Sequence, residues 1–172
     1  MRQAYGRGAL ALEFLIVTAA RTGEVLGMTW DEIDLDNKLW TLPPHRTKQG
    51  REHQVPLCDR AMQILAIQKQ YMSPGSPYVF NGYKRTRLAE KTMASVLQSM
   101  GVNVTVHGFR STFRDWAGNE TEFPREHVEE CLGHLMGNKV ERAYRRRPGI
   151  EKRRAILEAW EQFCGSKGAT HG

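Results

Sequence analysis

The stretch His107-Gly108-Phe109-Arg110-Ser111-Thr112-Phe113-Arg114-Asp115-Trp116-Ala117 decides how this 172-residue chain is read. On a helix advancing about 100° per residue, Phe109, Phe113 and Trp116 fall in one stripe, which marks the face that meets a core. His107, Arg110 and Arg114 gather about 100–160° away from Phe109 on the same wheel. One imidazole and two guanidiniums therefore line the shoulder of a buried aromatic face. Taken singly, each reads as a polar helix flank with surface ion pairs. Together, beside an aromatic anchor, they weigh against that reading.

Working outward from that helix, the segment from Gly8 to Ala20 is nearly all apolar, with Leu10, Phe14 and Val17 at helical spacing, and predicts a buried helix. Arg21-Thr22-Gly23 breaks it. A short helix is expected from Glu24 to about Met28, with Thr22 as its N-cap and Glu24 as a first-turn carboxylate. Leu39 to Leu42 and His53 to Leu57 predict two antiparallel strands joined through a turn at Thr47-Lys48-Gln49-Gly50, with Pro43, Pro44 and Pro56 at the strand ends. Beyond them, Asp59 is expected to cap a helix reaching about Tyr71, and Tyr78 to Phe80 reads as a short extended piece. Further helices are expected from Leu88 to Met100, His107 to Gly118, Pro124 to Leu132, Asn138 to Arg146 and Gly149 to Phe163, with Pro124, Gly133 and Pro148 as start and stop signals. Residues 165–172 lack apolar content and are expected to form a disordered tail. The fold class is mainly α with a small antiparallel β-sheet, one domain over residues 1–164.

Composition narrows the partners. Hydrophobic residues make up 40% and charged residues 26%, ordinary for a globular domain. No apolar run approaches the roughly 18 residues of a membrane span, and the N-terminus lacks a secretory layout. Cys58, Cys131 and Cys164 are odd in number, widely spaced and free of any CxxC pair, so they read as reduced thiols in a cytoplasmic protein. The net charge is +6 and the pI about 9.4, the electrostatic footprint of a nucleic-acid partner. The charge is concentrated: Arg142, Arg145, Arg146, Arg147, Lys152, Arg153 and Arg154 lie within 13 residues, with only Glu141 and Glu151 as flanking acids.

Two further residues stand out. Arg21 closes a nearly all-apolar helix, where it either complements the helix dipole or meets an anionic ligand, and Glu24 three residues on can hold its side chain. Tyr144 shares a helical face with Val140 and is surrounded by Arg142, Arg145, Arg146 and Arg147. A phenol ordinarily titrates near about 10, and neighbouring cations lower the cost of phenolate, so this tyrosine suits attack on a phosphate.

At this point the chain resembles the tyrosine recombinase family, in its phage and genomic-island integrase branch, over about Leu10 to Phe163. Four motifs stand in family order. Thr-Ala-Ala-Arg-Thr-Gly-Glu-Val-Leu (18–26) resembles the box of the first catalytic arginine. Thr-Lys-Gln-Gly (47–50) followed by His-Gln-Val-Pro-Leu (53–57) matches the hairpin carrying the family lysine. His-Gly-Phe-Arg (107–110) looks like the His-x-x-Arg box. Leu-Gly-His (132–134) is followed ten residues later by Tyr144.

The resemblance implies site-specific DNA recombination, with Tyr144 attacking a phosphodiester to give a 3′-phosphotyrosyl link. It assigns Arg21 and Arg110 to the transition-state oxygens, Lys48 to protonation of the leaving 5′-oxygen, His107 and His134 to the phosphate or the tyrosine proton, and Glu24 to support of Arg21. Arg114, Arg145 and Arg146 are candidate DNA contacts. No cofactor, metal or ATP is implied. Cys131 and His134 have ligand-like spacing without a second pair, and His45 and His53 read as surface residues or DNA contacts. The implied partners are double-stranded DNA, other protomers forming a tetramer in the synapse, and accessory DNA-bending or directionality factors. The implied location is the bacterial cytoplasm, at the nucleoid. The family's core-binding and arm-binding domains find no counterpart in these residues. A catalytically silent DNA-binding remnant and a type IB topoisomerase-like relaxing enzyme are the competing readings.

Overall fold

The computed structural model describes residues 6–134 and 149–167. Tyr144, Arg145, Arg146 and the helix expected from Asn138 to Arg146 lie outside the described residues. The elements run α1 (Arg7–Thr18), α2 (Thr22–Leu26), β1 (Ile33–Asp34), β2 (Leu39–Leu42), β3 (His53–Pro56), α3 (Asp59–Gln70), α4 (Lys91–Ser99), α5 (Gly108–Glu120), α6 (Arg125–Cys131) and α7 (Ile150–Lys167). The strands form one antiparallel sheet in the order β1-β2-β3, with Trp40 opposite Val55 and Leu42 opposite His53. Among the described residues no helix is long and apolar enough to cross a membrane.

Helix α1 forms the middle of the domain because its apolar residues leave almost no polar face. Leu10, Ala11, Leu12, Phe14, Leu15 and Val17 are all buried, and α3, α4, α2 and α7 pack around it. Phe14 meets the edge of Trp40 from β2 at 5.8 Å between ring centroids and Phe80 at 5.5 Å, so the sheet closes over the helix through aromatic contacts. A forked ion pair from Arg60 on α3 to Glu13 on α1 (2.6 and 2.8 Å) fixes the crossing of those helices.

A second aromatic cluster seats the C-terminal helix. Trp160 of α7 packs edge-on against Phe113 at 5.5 Å, touches Trp116 at 5.1 Å and stacks on Phe163 at 5.6 Å. Its indole N–H donates to the Ile16 carbonyl at 2.8 Å, which satisfies the one polar atom such a ring must bury. Helix α7 therefore lies on its own domain, against β3, α6 and α1. It also continues to Lys167, so residues 165–167 are helical where composition predicts a tail. Packing of Trp160 and Phe163 outweighs the poor propensity of Gly165 and Ser166.

Other boundaries move by a few residues. Cys58, not Asp59, stands at the N-cap of α3, and Asp59 is its first-turn acid. Arg21, not Thr22, precedes α2. Helix α4 begins at Lys91 rather than Leu88, and β1, only two residues long, has no sequence signal of its own.

Candidate active site

Two helices end in the same kind of left-handed turn, and the site forms between them. At the end of α1, Ala19 adopts φ 51°, with its N–H bonded to the Ile16 carbonyl and the Ala20 N–H to the Leu15 carbonyl. At the end of α6, Gly133 adopts φ 69°, with its N–H on the Glu130 carbonyl (3.0 Å) and the His134 N–H on the Glu129 carbonyl (2.9 Å). Both are the paired closing bonds of a Schellman turn, which ordinarily favours glycine. At Ala19 the left-handed backbone costs about 1 kcal/mol.

Arg110 of α5 joins the two turns. Its guanidinium donates to the Ala19 carbonyl and to the Leu132 carbonyl, the latter at 2.7 Å. Only 7% of the residue is exposed, so Arg110 does not sit on the shoulder that the helical wheel suggests. The wheel positions it beside the core stripe, and two helix C-termini then cover it. Burial, and next the charge of Arg21, lower its pKa to about 10, where it remains a cation at neutral pH.

Arg21 reaches the same place from α1. The Glu24 carboxylate accepts from the Arg21 backbone N–H at 2.9 Å and from the Arg21 guanidinium at 2.9 Å. One buried acid thus caps the start of α2 and aims the arginine. A Cβ built on Gly133 would lie 3.4 Å from Arg21 Nη1 and 3.5 Å from His53 Nε2. Gly133, in a left-handed conformation that favours glycine, thus brings its backbone close to both groups.

His134 is fixed from the other side. The turn at Gly133 folds it back so that its Nδ1 meets Glu129 Oε2 at 2.5 Å. Arg114 also reaches Glu129 (Nε to Oε1, 2.9 Å) and lies 3.3 Å from His134 Nδ1. Burial works against the Glu129 carboxylate, but the His134 hydrogen bond and the Arg114 charge outweigh it and hold its pKa below the ordinary value. Arg114, a candidate DNA contact in the sequence, is here tied to the acid that orients His134.

The structure brings Arg21, Glu24, Arg110 and His134 to one place. No hydrogen bond or ion pair joins Lys48 or His107 to them among the described residues. Lys48 is exposed at the tip of the turn between β2 and β3 and makes no hydrogen bond or ion pair among the described residues. That turn is nonetheless ordered at its base. Thr47 Oγ1 donates to the Arg51 carbonyl at 2.6 Å, and Arg46 pairs with Glu32 and donates to the Glu24 carbonyl at 2.5 Å. His107 stands exposed at the N-cap of α5 and its side chain caps nothing. Tyr144, Arg145 and Arg146 lie outside the described residues.

Three participants carry no clear sequence signal. His53, read as a surface residue or a DNA contact, is half-buried at the head of β3, where burial and then the charge of Arg153 push its pKa down to about 4. Glu129 and Arg153 look like ordinary members of charged helices. Arg153 of α7 is in fact buried and donates to the Gln54 carbonyl at 2.5 Å. Only a hydrophobic partner surface on α7 would have pointed to it, through Ile156, Leu157 and Trp160. Cys131 is a core thiol, raised to about 12 by burial, and His45 is exposed.

The model of the Phage integrase family matches residues 2–148. The chain is 34% identical over 149 residues to the prophage integrase IntA of Escherichia coli strain K12, covering 84% of this chain and 36% of that protein. It is 29% identical over 162 residues to the integrase of Shigella phage Sf6, covering 92% of this chain and 42% of that protein. The chain thus spans well under half the length of these curated relatives. Among solved structures, the integrase from mycobacterium phage Brujita superposes with a TM-score of 0.66 at 20% identity, covering 91% of this chain and 52% of that one.

Proposed function

Because the chain belongs to the phage integrase family, we propose that it breaks and rejoins DNA in site-specific recombination, with Tyr144 as the covalent nucleophile. The observation that carries this reading is the approach of Arg21 and Arg110, 89 residues apart in sequence, to each other and to the turn at Leu132 and Gly133. Arg110 is buried beside Arg21, and the carboxylates of Glu24 and Glu129 offset these effects only in part, an arrangement that a further anion relieves. A phosphodiester is such an anion.

In this proposal the phenolate of Tyr144 attacks phosphorus and forms the 3′-phosphotyrosyl bond as the bond to the 5′-oxygen breaks. Arg21 and Arg110 hold the non-bridging oxygens, where negative charge gathers in the transition state. Lys48 delivers a proton to the departing 5′-oxygen when the turn between β2 and β3 meets DNA. His107 and His134 donate to the phosphate or accept the tyrosine proton, and Glu24 fixes Arg21. The hydroxyl of a second strand then attacks the phosphotyrosyl bond and releases Tyr144. The bond energy stays in the intermediate, so the cycle needs neither ATP nor a metal. Residues 1–164 form the catalytic domain, Arg145 and Arg146 meet the DNA backbone, and the partners are double-stranded DNA, other protomers in a synaptic tetramer and accessory DNA-bending proteins, in the cytoplasm at the nucleoid.

The test is a duplex nicked beside the scissile phosphate, so that the released fragment diffuses away and the intermediate accumulates. A protein–DNA adduct that resists denaturation is expected, absent in Tyr144→Phe and reduced at least about 100-fold in Arg21→Ala. Failure of the intact protein to form any adduct would overturn the proposal.

A further inference from the structure

We propose that His53 is an additional phosphate-contacting residue of this site, its imidazole donating a hydrogen bond to a non-bridging oxygen held by Arg21. This rests on the reading of the site as a DNA phosphate pocket and adds a residue that the family motifs in the chain do not assign.

The position where a Gly133 Cβ would stand is 3.4 Å from Arg21 Nη1 and 3.5 Å from His53 Nε2, so guanidinium and imidazole both lie beside one point at the Gly133 backbone. Neither ring nitrogen of His53 has a hydrogen-bond partner among the described residues. A half-buried ring with an unused donor, beside a guanidinium that can only donate, calls for an acceptor shared by both. An anionic oxygen is the acceptor that serves two donors at once.

The backbone under the ring is held firmly. His53 pairs with Leu42 across the sheet, and Arg153 clamps the next residue through the Gln54 carbonyl. The main chain that carries the ring is therefore positioned before any ligand arrives, as an electrostatic contact to a transition state requires.

Burial, then Arg153, Arg21 and Arg110, disfavour an imidazolium here, while Glu24 alone among the facing groups favours it. A neutral imidazole brings an N–H without adding to repulsion among three arginines. An oxygen anion at Nε2 selects the tautomer that carries its proton there.

Two measurements test this. Ring ¹⁵N spectra of histidine-labelled protein are titrated with inorganic phosphate, the His53 signals being identified by their loss in His53→Ala. Adduct formation on the nicked duplex is timed for the intact protein, His53→Ala and His53→Gln. Saturable movement of the His53 ring signals is expected, with the His53→Ala rate down about 10- to 100-fold and partly recovered by glutamine, which keeps a donor, while DNA affinity changes less than about threefold. A ring that does not respond to phosphate, or a His53→Ala rate within twofold of the intact protein, overturns the proposal. If the intact protein forms no adduct, the proposed reaction fails, and the phosphate titration alone still decides whether His53 meets the anion.

Discussion

The guanidinium of Arg110 donates to the Leu132 carbonyl at 2.7 Å, across 22 residues of sequence, and so ties the middle of α5 to the turn that presents His134. The same group also bonds to Ala19 at the end of α1. An arginine proposed to hold a transition state is thus also a fastener between three helices, and stability and chemistry are coupled through it.

Arg110→Ala would leave two buried carbonyls unpaired. A loss of about 3 kcal/mol is expected, which lowers Tm by roughly 6–12 °C for a chain of this size. Arg110→Lys keeps the charge but cannot reach both carbonyls in a fork, and should fall between. Thermal melting checks this, and a wild-type Tm in Arg110→Ala would refute the fastening role.

Glu24 offers the opposite separation. Its carboxylate divides between the Arg21 backbone and side chain, and Glu24→Gln keeps size while weakening both bonds. Adduct formation should slow about tenfold, about 1.4 kcal/mol in barrier, while DNA affinity holds or rises because a negative charge leaves a basic pocket. Weaker binding in proportion to the slower rate would show that Glu24 serves affinity instead.

How much of this was legible in the sequence follows from which residues depend on local signals. The strands β2 and β3, the aromatic stripe of α5 and the apolar α1 follow from alternation, spacing and turn residues, all local. Burial of Arg110 is not local, because the carbonyls that cover it belong to residues 19 and 132. His53 read as a surface residue or a DNA contact because a polar group at a strand start usually is one, and only the packing of α7 on β3 and the approach of the Gly133 turn half-bury it. Lys48 is the converse: its motif is plain, yet in the structure it stands alone at an exposed turn.

His53 also predicts a pH dependence. Its folded pKa of about 4 lies below the ordinary 6.5, so between those values the unfolded chain binds the extra proton and stability falls as pH falls. At about 1.4 kcal/mol per pKa unit the full effect is about 3 kcal/mol, spread over pH 6.5 to 4 and flat below. His53→Gln removes the group, so its Tm should fall less steeply across that window. Parallel curves for the two proteins would contradict the neutral, enclosed ring.

Glu129→Gln tests the positioning of His134. The 2.5 Å contact to His134 and the ion pair with Arg114 both depend on the carboxylate. A stability loss of about 1–3 kcal/mol is expected, together with adduct formation slowed about tenfold on a binding curve that does not weaken. An unchanged rate would leave His134 outside the chemistry.

The most direct measurement is the identity of the DNA-linked residue. Adduct trapped on the nicked duplex is digested with protease and nuclease, and the nucleotide-bearing peptide is sequenced by mass spectrometry. The account predicts a single phosphotyrosyl site at Tyr144, joined to the 3′ side of the break. Linkage at any other residue, or through the 5′ side, would contradict it.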